Sequence, residues 1–200
     1  MTRGGSLEAI VLAAGLGARF GGGKLTAPWR GRPLIEGALA AAAAAPVRTV
    51  RVVWGADEGV PAVARSFFAR RPSRLELVPA ERYAEGLSAS LRAGIASLPA
   101  DCSGVFLFLG DMPRIPPAVL APLAEALAPS ALAAAPVFDG QRGHPVLFGR
   151  ALFAKLLELE GDKGAGALLA GLTPGQVVLV PAPDDGVLYD VDLPSQAQPP

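Results

Sequence analysis

The sequence predicts a three-layer α/β fold, with a mostly parallel sheet covered by helices on both faces, and three observations predict it. Strand-like and helix-like segments alternate at short intervals through residues 7–127, as successive βα units do. Strand candidates such as 7–13 and 104–109 are nearly continuous in apolar residues, as strands buried on both faces are. The dipeptide Asp139-Gly140 is a hairpin signal that interrupts this alternation, so one antiparallel strand is expected in the sheet.

Residues 7–13 make the first strand and run directly into a glycine-rich loop. Residues 25–32 stay irregular around Pro28 and Gly31, and the alanine-dense segment 34–45 reads as a helix stopped by Pro46. Residues 49–54 (TVRVVW) form a β-branched strand ended by Gly55. A helix over 60–71 presents Val63, Phe67 and Phe68, and 74–78 returns as a strand. Apolar residues at 87, 91, 95 and 98 have helical spacing. The most hydrophobic strand, 104–109, should be central and stops at Gly110-Asp111. A helix to residue 127 follows, then an apolar segment 131–137, the hairpin and a short strand 145–148. Helices over 151–159 and 165–172 and strands over 177–180 and 187–191 complete the pattern. No internal repeat or long linker divides the chain, so one domain over 1–193 and a flexible tail over 194–200 are expected.

Composition narrows the function classes. The hydrophobic fraction of 51% and charged fraction of 18% describe a globular chain, and eighteen basic residues balance eighteen acidic ones. No global charge therefore argues for nucleic acid or an anionic membrane, and any anion site must be local. The single cysteine, Cys102, excludes an intramolecular disulfide and a CxxC metal pair. The N-terminal apolar run, 9–14, is too short for a signal-peptide core or a membrane span, so a cytoplasmic protein is expected.

The stretch IVLAAGLGARFGGGK at 10–24 carries the strongest chemical signal. A strand breaks into bare backbone at Gly15, with Arg19 in the turn and Lys24 at its end. Glycines let backbone N–H groups converge on one anion while the two cations supply full charge. It is not a P-loop, because Ala18 and Leu25 stand where that pattern needs Gly and Ser or Thr. It is not a dinucleotide fingerprint either, because Phe20 occupies the third glycine position. A glycine-rich surface turn is the alternative reading.

Ligands of doubly wound sheets sit beyond the carboxyl ends of the strands, so the loop after the first strand and Gly110-Asp111 should share one rim. A carboxylate there suits a magnesium ion bridging to phosphates, although Asp111 could equally cap a helix or make an Asx turn. Asp190 and Asp192 alternate along an expected strand end, so at most one points at a common ion, and Asp111 with Asp192 would suffice for Mg2+. Ser88 and Ser90 open a helix after Gly86, where Ser88 could cap and the helix N-terminus could meet a phosphate or a base edge. His144, the only histidine, reads first as a structural loop residue, with proton transfer as the alternative.

These motifs together resemble a known family. LAAGLGARFGGGK resembles the LAAGxSxRMGxxK signature of the MobA-like nucleotidyltransferases, and EGLSASLRAG, LGDMP, RGHPVLF and VDLP follow in that family's order along nearly the whole chain. With GDKGAGALL at 161–169, the chain looks most like the molybdenum cofactor cytidylyltransferases. The resemblance implies a Rossmann-like fold of the nucleotide-diphospho-sugar transferase type. It also implies a Mg2+-dependent reaction in which a phosphate of molybdopterin-type molybdenum cofactor attacks the α-phosphorus of CTP, releasing pyrophosphate. Carried over by position, Leu12, Ala13, Ala14 and Gly15 would lie against the nucleotide, and Arg19 and Lys24 would hold its phosphates. Asp111 and Asp192 would bind the metal, with Arg19, Lys24 and Asp111 the catalytic set. Gly86, Ser88 and Ser90 would approach the nucleotide, and Arg142, Gly143 and His144 would face the acceptor. The implied partners are small-molecule substrates, with a molybdoenzyme or its maturation chaperone as candidate recipient.

Departures from the pattern bear on specificity. Phe20 replaces a methionine, and Gly17 stands where a serine hydroxyl often contacts phosphate. Ala13-Ala14 before Gly15 is closer to the cytidylyl branch than to the guanylyl branch. The alternatives are a guanylyltransferase, a transferase for another phosphate acceptor, and a non-catalytic module that binds and delivers a cofactor.

Overall fold

The computed structural model describes residues 6–17, 20–127, 131–162, 164–193 and 196. Its centre is a mixed sheet in the order β10-β7-β9-β6-β1-β4-β5. The parallel half is formed by β1 (Ser6–Ala13), β4 (Thr49–Trp54), β5 (Arg74–Pro79) and β6 (Cys102–Leu109), with β1 and β6 at its heart. β9 (Val146–Gly149) runs antiparallel to both β6 and β7 (Ala133–Phe138), and β10 (Val177–Pro181) returns to run parallel with β7. The expected antiparallel strand is therefore β9. The hairpin forms at Asp139-Gly140, both at positive φ (48° and 74°), but first yields the short strand β8 (Gln141–Arg142) pairing with β7.

Period-two alternation in β1 sorts its side chains between the two faces. Ala9, Val11 and Ala13 join α1 (Ile35–Ala44), α2 (Val60–Phe68) and α4 (Leu120–Ala126) in one core. Ile10 and Leu12 join α3 (Leu87–Ala96), α5 (Phe153–Leu157) and α6 (Ala165–Ala170) in the other. Phe106, Phe108 and Phe148 are fully buried, which fixes β6 and β9 as the middle of the molecule. No helix among the described residues is long and apolar enough to cross a membrane.

Two local expectations are corrected. Residues 25–32 are not wholly irregular: β2 (Pro28–Trp29) and β3 (Arg32–Pro33) form a small hairpin, turned by Arg30 and Gly31 at positive φ. The expected strand over 187–191 does not form. Its backbone is engaged elsewhere, because Val187 O accepts from His144 N at 2.8 Å and Val191 N donates to Asp111 O at 3.0 Å. The contacts a sheet ladder would use thus tie this segment to two loops. Of the expected tail, 194–200, only Gln196 lies within the described residues, and its Oε1 accepts from the Asp192 and Leu193 N–H groups.

Candidate active site

β1 is flanked in parallel by β4 and β6, with Leu12 opposite both Val53 and Leu109. The chain therefore leaves all three strands at one height, and the loops that follow share a rim. Gly110 N donates to Leu12 O at 2.9 Å, which draws Asp111 against the glycine loop. The Val191–Asp111 backbone bond then sets Asp192 beside it.

Lys24 joins the three segments. Its Nζ donates to Asp111 Oδ2 at 2.8 Å and to Asp192 Oδ1 at 3.1 Å, and its side chain is only 10% exposed. Burial alone would lower the ammonium's pKa, but the hydrogen bonds and charges of Asp111 and Asp192 outweigh it and hold it above its ordinary value. Lys24 is thus a permanent cation at neutral pH, held between two carboxylates.

A cleft of about 610 Å3 is lined by Lys24 and Asp111 of this cluster, though not by Asp192. Of the residues named from sequence, Leu12, Ala13, Ala14, Gly15, Lys24, Gly86, Ser90 and Asp111 line it. Ser88 does not. It is fully buried, its Oγ accepts from Arg92 at 3.1 Å, and it provides no side-chain cap to α3. Gly86 begins that helix at φ 111°, and a Cβ there would lie 2.7 Å from Asp162 Oδ1 and the Gly161 backbone, so only glycine lets the helix start reach the cleft. Arg19 lies outside the described residues.

Arg142, Gly143 and His144 line an adjoining cavity of about 220 Å3, which shares Leu12, Leu87 and Leu109 with the cleft. A Cβ on Gly143 would stand 2.2 Å from Val187 O, so the backbone crosses the C-terminal segment in direct contact. His144 is deeply buried. Desolvation lowers its pKa despite a hydrogen bond to the Leu107 backbone and the nearby charges of Asp111 and Asp190. Its Nδ1 has no hydrogen-bond partner among the described residues. Burial thus favours the neutral imidazole over a cation.

Three cleft residues escaped the sequence reading: Asp57, Tyr83 and Asp162. Asp57 follows the end of β4 as Asp111 follows β6, so the same strand-end rule would have found it. Asp162 lies in the GDKGAGALL segment but becomes visible only through its contact with the start of α3.

Residues 9–177 match the MobA-like NTP transferase domain. The chain belongs to that family. It is 30% identical over 199 residues to the purine catabolism protein PucB of Bacillus subtilis, covering 95% of this chain and 93% of that protein. The crystal structure of Rv0371c from Mycobacterium tuberculosis superposes with a TM-score of 0.76 at 29% identity, covering 96% of this chain and 95% of the other. A structure of Rv0371c in complex with manganese superposes at 0.68 with 27% identity over 88% of each chain. As a family member the protein is an NTP transferase, and the cluster at Lys24 stands on the rim where this fold class binds its ligands.

Proposed function

We propose that the protein transfers CMP from CTP to the terminal phosphate of a molybdopterin-type molybdenum cofactor, with release of pyrophosphate. The observation that carries the reading is the convergence of Lys24 Nζ, Asp111 and Asp192, with Lys24 and Asp111 lining a cleft that shares Leu12, Leu87 and Leu109 with the adjoining cavity. Asp111 lines the larger cavity, and its charge acts on the ionisation of His144 in the smaller one. A phosphoryl centre at this junction can be approached from both sides. Phosphoryl transfer needs in-line placement and charge neutralisation more than covalent chemistry; Lys24 offers one positive charge, and the two carboxylates offer a place for a metal that would add more.

The donor set fits a hard divalent cation. Asp111 and Asp192 already converge on one ammonium, and Mg2+ takes one or two carboxylates while keeping waters and substrate phosphates. These two residues would hold Mg2+, which when bound supplies charge neutralisation to the triphosphate. The manganese complex of Rv0371c supports a divalent metal. Lys24 places its charge on the phosphates, the backbone from Ala13 to Gly17 faces them, and Ser90 and Gly86 close the far wall. The acceptor enters past Arg142 and His144, and its phosphate oxygen attacks the α-phosphorus as the bond to the pyrophosphate breaks. The Ala13-Ala14 pair and the ordered motif set favour CTP, and a molybdoenzyme or its chaperone would receive the product.

One assay tests this reading: purified protein, Mg2+, molybdenum cofactor and each triphosphate in turn, with pyrophosphate as the readout. Turnover with CTP is expected and should stop on chelation of the metal. Turnover with GTP and not CTP overturns the base assignment, and turnover only with another phosphate acceptor overturns the cofactor assignment. Cofactor retention without pyrophosphate would make the protein a binding module.

A further inference from the structure

Asp57 lines the nucleotide cleft, yet its carboxylate is turned toward the protein. Its Oδ1 accepts from Gly59 N at 3.0 Å, and its Oδ2 accepts from Thr26 Oγ1 at 2.9 Å. The Thr26 hydroxyl also lies 3.1 Å from Gly23 O. One hydroxyl carries one proton, and the shorter, charge-assisted contact to Asp57 is the stronger acceptor. Gly23 O is held independently by Ala27 N at 3.0 Å, closing a tight turn over residues 23–27 with Lys24 inside it. The N-terminal end of α2 bears on the same turn, because a Cβ at Gly59 would come within 2.9 Å of Thr26 Cγ2. Thr26 therefore ties the turn that carries Lys24 to the strand end of β4, across 31 residues of sequence.

We propose that Thr26 and Asp57 are positioning residues for Lys24, fixing the end of the glycine loop so that Nζ reaches the Asp111–Asp192 pair and the phosphates. The proposal rests on the nucleotidyltransferase reading above. Neither residue needs to touch the reacting atoms. Both act through the geometry of one turn, and a misplacement of about 1 Å at a catalytic group can cost roughly 10²-fold in rate.

The test uses the full chain with whichever triphosphate and acceptor support pyrophosphate release. Thr26→Val keeps the shape and removes the hydroxyl. It is expected to lower kcat on the order of 10- to 100-fold while leaving KM for the triphosphate within about twofold. Thr26→Ser should restore the wild-type rate, Asp57→Ala should match Thr26→Val, and the double variant should be no slower than either single one, since coupled sites are not additive. Wild-type kcat in Thr26→Val overturns the proposal. So does a rise in KM confined to Asp57→Ala, which would make Asp57 a direct nucleotide contact. Hydrogen exchange of residues 23–27 gives a readout independent of activity: faster exchange in Thr26→Val, restored in Thr26→Ser, is expected, and unchanged protection overturns the clamp. If the wild-type chain releases no pyrophosphate with any triphosphate, the functional reading falls and the exchange experiment alone decides the clamp.

Discussion

The two ends of the sheet carry charge clusters of opposite design. At the carboxyl rim, among the described residues, Lys24 sits between two carboxylates. At the amino end one carboxylate, Glu8, only 1% exposed, sits between two arginines: Arg51 Nη1 at 2.6 Å and Arg48 Nη2 at 2.7 Å. Arg51 also reaches Glu76 at 3.0 Å, and Arg48 is forked onto Asp101. The guanidinium groups are planar, always charged and matched to carboxylates, so the lower cluster is a fixed joint across β1, β4 and β5. An ammonium is a point charge on a flexible stem, able to trade a carboxylate for a phosphate without losing its role. The lower charges hold the sheet together, whereas the ammonium at the rim is free to exchange partners.

Removing the rim cation should give the largest effect. Lys24→Ala and Asp111→Asn are each expected to lower turnover about 10²- to 10³-fold, with the urea midpoint near wild type. Pyrophosphate release and chemical denaturation measure the two halves. A variant that keeps wild-type rate would remove the rim cluster from the chemistry. Lys24→Arg sharpens the contrast. If the rim worked as the lower joint does, arginine would serve, whereas a loss of at least about tenfold is expected because the fork replaces a point charge.

At the lower end the pattern should invert. Glu8→Gln leaves the Arg51 guanidinium buried with only Glu76, and is expected to cost about 3 kcal/mol of stability while kcat of the folded protein stays unchanged. Equilibrium urea unfolding with activity measured below the transition checks both.

His144 gives the smallest effect. Its folded-state pKa lies below the ordinary 6.5, so the unfolded chain takes up the proton first as the solution is acidified. The neutral ring's contribution is complete above about pH 6.5 and is lost as pH falls through the folded value. His144→Gln should lack that part of the acid-induced fall in stability between about pH 7 and 5, seen as a difference between the two stability profiles. Parallel profiles would contradict the burial assigned to the ring.

Much of the frame was legible because local pattern and tertiary role coincide. The apolar run of β1 that breaks at Gly15 marks a buried strand feeding a bare loop, and the strand-end rule brings Asp111 to the same rim. Residues 187–191 misled for a physical reason. Their β-branched side chains are buried at Val187 and Val191, but the backbone hydrogen bonds go to His144 and Asp111 in place of a ladder. Ser88 misled because a hydroxyl at a helix start suits a cap or a ligand equally, and Arg92, one turn on, claims it. The Thr26–Asp57 contact and the joint at Glu8 depend on which strands become neighbours, and no spacing in the sequence states that.

The crossing at Gly143 bears on any attempt to redesign the smaller cavity. With Val187 O 2.2 Å from where a side chain would begin, position 143 has no room for diversity, while Arg142 and His144 on either side of it line the cavity. A mutant library of this wall can therefore vary flanking residues but not the one between them. If this cavity takes the acceptor, as proposed, a change of preference would come from the charge at 142 or the ring at 144, never from new bulk at the centre.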